Sequence, residues 1–140
     1  MSHNCKALIF RCMDFRLGPE LVKHLERENL TNDADIVSLA GAAKNFLDPD
    51  SINIMMKQID ISRRLHGTTE VHIMNHTDCG AYGGKTAFAD EETERAKLIA
   101  DMKQAAEMIK DKWPDLTVKL WMPHIEEQDH GINVWIEKIE

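Results

Sequence analysis

No stretch of this chain is apolar enough to cross a membrane; its hydrophobic runs fall well short of the roughly 18 residues such a helix needs. The opening MSHNCKALIF also lacks the build of a signal peptide. Basic character is scarce. The 17 Lys and Arg are outnumbered by 24 Asp and Glu, for a net charge of −7. The chain therefore lacks the positive footprint of nucleic-acid binders and polybasic membrane anchors, and neither partner is expected. Cysteine is sparse and odd in number: Cys5, Cys12 and Cys79. That argues against a disulfide framework and for a cytoplasmic setting, where thiols pack, ligate metals or act as nucleophiles. Internal repeats, low-complexity tracts and linkers are also missing. What remains is 140 residues, 43% hydrophobic and 29% charged. This is a globular composition, long enough for a single domain over residues 1–140 with its own core.

Strand-like and helix-like segments alternate. Residues 5–11 (CKALIFR) read as a short buried strand. Gly18-Pro19 opens a helix to about Asn29, with Leu21, Val22 and Leu25 on its apolar face. Residues 34–40 form a second strand. Asp48-Pro49 starts a helix in which Ile52, Met55, Met56 and Ile59 repeat at i, i+3, i+4, i+7 until Gly67 stops it. A third strand covers 70–75. Asp90-Glu91-Glu92 favours the start of a long helix, with Ile99, Met102, Ala106, Ile109 and Trp113 as its buried stripe and Pro114 at its end. Residues 116–122 make a fourth strand. Ile132, Val134 and Ile136 alternate with polar or exposed positions in a fifth. The order β-α-β-α-β-α-β-β implies an α/β layer fold with a mostly parallel sheet flanked by helices.

Two segments follow strands at their carboxyl ends: Cys12-Met13-Asp14-Phe15-Arg16 and His76-Thr77-Asp78-Cys79-Gly80-Ala81. Ligands in open α/β sheets sit outside such ends. If the first and third strands are neighbours, Cys12, His76 and Cys79 converge. Two thiolates and an imidazole suit Zn²⁺ and leave a fourth position open, as catalytic sites do. The two thiolates already neutralise the dication, so a zinc-bound hydroxide needs help near neutral pH. Asp14 and Arg16 can give it: an arginine-paired carboxylate stays ionised and aimed. The same carboxylate could instead occupy the fourth zinc position.

Cys12-x-Asp14-x-Arg16 after the first strand, with His76-x-x-Cys79-Gly80 after a later one, resembles the beta-class carbonic anhydrases. The resemblance runs from about residue 5 to the last strand and includes Ala40-Gly41-Ala42. It implies one zinc ion per chain on Cys12, His76 and Cys79, Asp14 paired with Arg16, and a sheet of order 2-1-3-4 with the last strand added at an edge. It also implies assembly as a homodimer or a multiple of dimers. The activity implied is carbonate dehydratase, the reversible hydration of CO₂ to bicarbonate and a proton, in which zinc-bound hydroxide attacks carbon and Asp14 orients it. Phe15, Leu39 and Ala40 would wall the substrate pocket, with Gly41 and Gly80 letting backbone approach it. The chain departs from the family where Ser38-Leu39 replaces its usual Arg-Asn, where Phe15 replaces a small residue, and in lacking a long N-terminal helical arm. These departures leave two alternatives: hydrolysis of carbonyl sulfide or carbon disulfide on the same zinc, or a non-catalytic zinc-stabilised scaffold or sensor.

Other residues read more plainly. Cys5 is expected as a core thiol, His3 on a mobile end, His24 and His66 on solvated helix faces, and His72 packed on its strand. His124 and His130, with Glu126, Glu127 and Asp129, fall in a loop-like acidic stretch, from which His130 could carry protons. Met55, Met56, Met102 and Met108 read as helix core or interface. Gly80 to Thr86 resembles a phosphate-binding loop, but the pattern needs glycine at position 79, which is cysteine.

Overall fold

The computed structural model describes residues 3–140. Five strands, β1 (Ala7–Arg11), β2 (Ala34–Ser38), β3 (Glu70–Met74), β4 (Thr117–Gln128) and β5 (Gly131–Ile139), form one sheet of order β2-β1-β3-β4-β5. The first four run parallel, and β5 lies antiparallel on β4 at the edge. Three α-helices connect them: α1 (Gly18–Arg27), α2 (Ile52–His66) and α3 (Glu91–Lys112). No helix among the described residues is long and apolar enough to cross a membrane.

Strand alternation sorts the side chains into two cores, because successive residues of a strand face opposite sides. Leu8 and Phe10 of β1, Val71 and Ile73 of β3, and Leu120 and Met122 of β4 meet Met55 and Ile59 of α2 and Leu98, Met102 and Ile109 of α3. Ala7 and Ile9, with Met74 and Trp121, meet Leu21 of α1 and Leu30 on the other face. β1 is thus buried on both sides, which is why ALIF reads as an unbroken apolar run. Each of these large side chains contributes roughly 1.5–3 kcal/mol by leaving water.

Several local expectations shift. Asp48 does not cap α2; its carboxylate accepts the Asp50 N–H at 2.8 Å in a turn, and the helix begins at Ile52. Gly67 ends α2 as expected, with φ +64°. Asp90 caps α3 by accepting the Thr93 N–H at 2.7 Å. The buried stripe of α3 is Leu98, Met102, Ala105 and Ile109, while Ile99 and Ala106 are only partly covered. Val22 of α1 is exposed and His24 takes its place inside, edge-on to Trp121 at 4.5 Å. His66, at the end of α2, is half-buried against Asp35 instead of solvated. The acidic stretch after Pro123 is strand, not loop: β4 continues to Gln128 and pairs with β5 through His124↔Trp135 and Glu126↔Asn133.

Candidate functional site

The loops leaving β1 and β3 lie side by side because the two strands are neighbours, paired from Ala7↔Glu70 to Phe10↔Ile73. Cys12 directly follows β1. His76 and Cys79 lie two and five residues beyond β3. All three are buried, and their ligand atoms lie within 4.8 Å of one another. The two sulfurs are 3.9 Å apart. Zinc–sulfur bonds of about 2.3 Å at a tetrahedral angle call for about 3.8 Å between sulfurs.

The imidazole is set to donate a lone pair. His76 Nδ1 lies 2.7 Å from the Thr77 carbonyl, which can only accept, so Nδ1 carries the proton. That leaves Nε2 as the basic nitrogen, and it is buried with no hydrogen-bond partner. Such an orphaned atom needs an explanation, and a cation supplies one. The thiols give a second. Without a cation they share a proton. The Cys79 hydrogen bond pulls Cys12 well below the usual thiol range, and the same bond, with burial, pushes Cys79 up. A dication between them is what lets both ionise. The donor set therefore fits zinc.

The loops are held by polar contacts of their own. Thr77 donates its N–H to the Pro123 carbonyl at 3.1 Å, and its hydroxyl accepts the Ile125 N–H at 2.9 Å, so β4 clamps the second ligand loop. Arg11 donates to the carbonyls of Cys12 and Asp14 at 2.6 and 2.9 Å, fixing the first. The Gly41 N–H points at Cys12 Sγ, 3.4 Å away. Gly41 has φ +83°, and a Cβ there would come within 3.0 Å of Ala81 Cβ, so glycine is needed twice over.

Asp14 caps a 3₁₀ turn, Phe15–Leu17, by accepting the Arg16 N–H at 2.8 Å. The Arg16 guanidinium grips the same carboxylate, with Nη2 2.8 Å from Oδ2 and Nε 3.0 Å from Oδ1. Both side chains are nearly buried, at 11% and 13% exposure. The Arg16 hydrogen bonds hold Asp14 below the usual carboxylate range, and Arg16 is raised in turn. Asp14 Oδ2 lies 3.9 Å from His76 Nε2, beside the ligand triangle.

Asp78 is the residue that reading the sequence left without a role. It lies between the two ligands of the second motif, in a left-handed conformation (φ +55°). Its carboxylate and carbonyl take Arg16 Nη1 and Nη2 at 3.1 and 3.0 Å, and its N–H goes to the buried Glu94 at 2.8 Å. Its position inside the His76-Thr77-Asp78-Cys79 motif was the available signal. Glu94 carried no such signal in the sequence.

The expected pocket residues separate. Gly41 reaches the first loop through its N–H to Cys12 Sγ, Ala40 before it is exposed, and Gly80 opens a 3₁₀ turn directly after Cys79. Leu39 packs against the main core. Phe15 is 85% exposed. The shell around the thiols is instead Leu17, with Ala81, Tyr82, Ile125 and Val134 partly buried. A groove of about 600 Å³ opens beside Asp78 and contains His124, stacked on Trp135 at 4.0 Å. His130 lies exposed in the β4–β5 turn, outside that groove.

Residues 2–132 match the family model described as "Putative carbonic anhydrase". An uncharacterized protein of Rickettsia conorii is 31% identical over 123 residues, covering 83% of this chain and 66% of its own length. One from Rickettsia bellii is 30% identical over 124 residues, covering 83% and 74%. The chain thus spans about two thirds to three quarters of these relatives. Among solved structures, a carbonic anhydrase from Glaciozyma antarctica shares the fold at a TM-score of 0.55 and 22% identity, covering 84% of this chain and 75% of that one.

Proposed function

The chain belongs to the carbonic anhydrase family, and from that premise we propose that it reversibly hydrates CO₂ to bicarbonate and a proton, with zinc held by Cys12, His76 and Cys79. The observation that carries this reading is the pairing of a buried, unpartnered His76 Nε2 and two adjacent sulfurs with an arginine-locked carboxylate 3.9 Å away. When bound, zinc supplies Lewis acidity that makes water acidic enough to be a nucleophile near neutral pH.

The chain's own residues account for the rest. Asp14, kept ionised by Arg16, accepts the hydrogen bond of the attacking water at a carboxylate oxygen and so aims its lone pair at the carbon of CO₂. Arg16 is a positioning residue, since its guanidinium is already engaged with Asp14 and Asp78. The double grip also keeps Asp14 from serving as a fourth ligand, which favours an open site over a closed structural one. Leu17, Ile125 and Val134 supply apolar cover for a small uncharged substrate. The case for carbonyl sulfide or carbon disulfide leaned on Phe15 and Leu39. One is exposed and the other packs, partly buried, against the main core, so neither supports it.

Homodimer assembly belongs to the same reading. Met13 and Phe15, 65% and 85% exposed, flank Asp14 with apolar surface that a second copy would cover. Sedimentation tests that part, and a monomer at all concentrations removes it. The activity itself is tested by stopped-flow CO₂ hydration on metal-quantified protein across about pH 6.5 to 9, around the roughly neutral pKa of zinc-activated water. Turnover that rises with pH and tracks zinc content supports the reading. One bound zinc with no hydration at any pH overturns it.

A further inference from the structure

Besides the site just described, one cluster among the described residues brings metal donors of three kinds together. Cys5, Asp35 and His66 place their ligand atoms within 4.8 Å of one another. We propose that they form a second zinc site, at the opposite end of the sheet.

The three residues come from separate elements that the backbone already joins. Cys5 lies two residues before β1, Asp35 is second in β2, and His66 closes α2. The Cys5 N–H donates to the His66 carbonyl at 2.9 Å. His66 Nδ1 and Asp35 Oδ2 are 2.7 Å apart. Two buried hydroxyls in relay hold the carboxylate from behind and reach toward the thiol. Ser62 Oγ donates to Asp35 Oδ2 at 2.7 Å, Thr68 Oγ1 lies 3.6 Å from Cys5 Sγ, and the two hydroxyls are 2.6 Å apart. Partners of this outer kind are what orient metal ligands in working sites.

The chemistry suits a borderline divalent cation. A soft sulfur, an imidazole and one carboxylate favour zinc over magnesium or calcium, which prefer oxygen-rich cages. Charge balances as well: the Cys5 thiolate and the Asp35 carboxylate together neutralise the dication, with His66 as a neutral donor. Binding releases one proton, from the Cys5 thiol. Zinc bonds of about 2 Å to nitrogen and oxygen set those atoms about 3.3 Å apart, so His66 and Asp35 must separate by roughly 0.6 Å. Both side chains are about a third exposed, which allows that movement and leaves water access to a fourth position.

This site cannot share an ion with the first. Cys12 lies seven residue steps beyond Cys5 along a largely extended segment, or about 23 Å at roughly 3.3 Å per step. An ion there would tie the lead-in of β1 to β2 and to the end of α2.

Metal-stripped protein loaded with excess zinc and then desalted is expected to retain two ions per chain by elemental analysis. Cys5→Ser is expected to retain one and to hydrate CO₂ as fast as the unmodified chain. His66→Gln, which leaves the thiol intact, is expected to lose the same ion. In a Cys12→Ser/Cys79→Ser double variant, cobalt should still give thiolate-to-metal absorption in the near ultraviolet, and adding Cys5→Ser should abolish it. One ion in the unmodified chain, unchanged by Cys5→Ser and His66→Gln, overturns the second site. Two ions without CO₂ hydration overturn the catalytic reading and leave this site standing.

Discussion

Arg16 holds both oxygens of Asp14 in one fork, at 2.8 and 3.0 Å, while its own backbone N–H adds a third bond to the same carboxylate at 2.8 Å. A carboxylate gripped this way has one orientation and one charge state. Replacing it by an amide of the same size puts an NH₂ group against the guanidinium and removes the acceptor aimed at the attacking water. Asp14→Asn is expected to keep its zinc and lose CO₂ hydration by about 100-fold or more, the scale of a lost proton-handling group. Metal analysis beside stopped-flow kinetics checks this, and unchanged turnover would remove the role given to Asp14.

Arg16→Lys keeps the charge but cannot fork, and it gives up the Asp78 contacts. The expected cost is about 2 kcal/mol of stability, the range of a lost charge-assisted hydrogen bond. The pH dependence has a definite sign. Arg16 depresses the folded-state pKa of Asp14, so the stabilisation is complete above the unfolded value of 3.8 and is lost as pH falls through the lower folded one. Urea titrations should therefore show a constant gap between the two proteins from pH 7 to 5, closing below about pH 4.

Gly41→Ala forces an L side chain into φ +83° and against Ala81. Relief of that clash must move the N–H that supports Cys12 Sγ. A stability loss of roughly 1–3 kcal/mol is expected from the strain. Zinc should also exchange faster, measured by transfer to a chromophoric chelator. A variant with wild-type exchange would show that the Gly41 contact does nothing for the metal.

His24 is buried against Trp121, and burial lowers its pKa from 6.5 to about 4. Because the folded state prefers the neutral ring, stability is full above pH 6.5 and falls as pH drops toward 4. Linkage gives a loss of about 2 kcal/mol between pH 7 and pH 5. His24→Leu, similar in bulk and uncharged, should flatten that part of the profile in thermal melts. An equally steep profile would assign the acid sensitivity to another group.

Cys79→Ser removes one sulfur of the 3.9 Å pair. Zinc at that site and CO₂ hydration should disappear together. A strong chelator should do the same to the unmodified chain, reversibly on adding zinc. An active, metal-free variant would end the zinc reading.

The sheet, and the meeting of the Cys12 and His76–Cys79 loops, were legible because they rest on short-range patterns: ALIF as a doubly buried strand, Gly67 as a helix stop, and both motifs placed directly after strands. The misread positions depend on what lies opposite. The stripe of α3 could be drawn through Ile99 and Ala106 or through Leu98 and Ala105, since both satisfy a 3.6-residue period, and packing against β4 decides between them. His24 sits among charged neighbours in sequence, and only Trp121, 97 residues later, makes it an interior residue. Pro123 and the acids after it suggest a loop. Yet β3 ends at Met74, opposite Trp121, so Pro123 owes it no hydrogen bond and β4 can continue against β5. Asp78 and Glu94 meet 16 residues apart, beyond the reach of either motif.

The two sulfurs of the first site are separated by 67 positions in the chain yet stand at the ends of neighbouring strands. During synthesis Cys12 emerges early and has no partner until β3 has docked beside β1. On the proposed zinc reading, metal capture and completion of the central sheet become one cooperative event. A bound ion would in turn report that β1 and β3 have paired, and would close a 67-residue loop, restricting the unfolded chain.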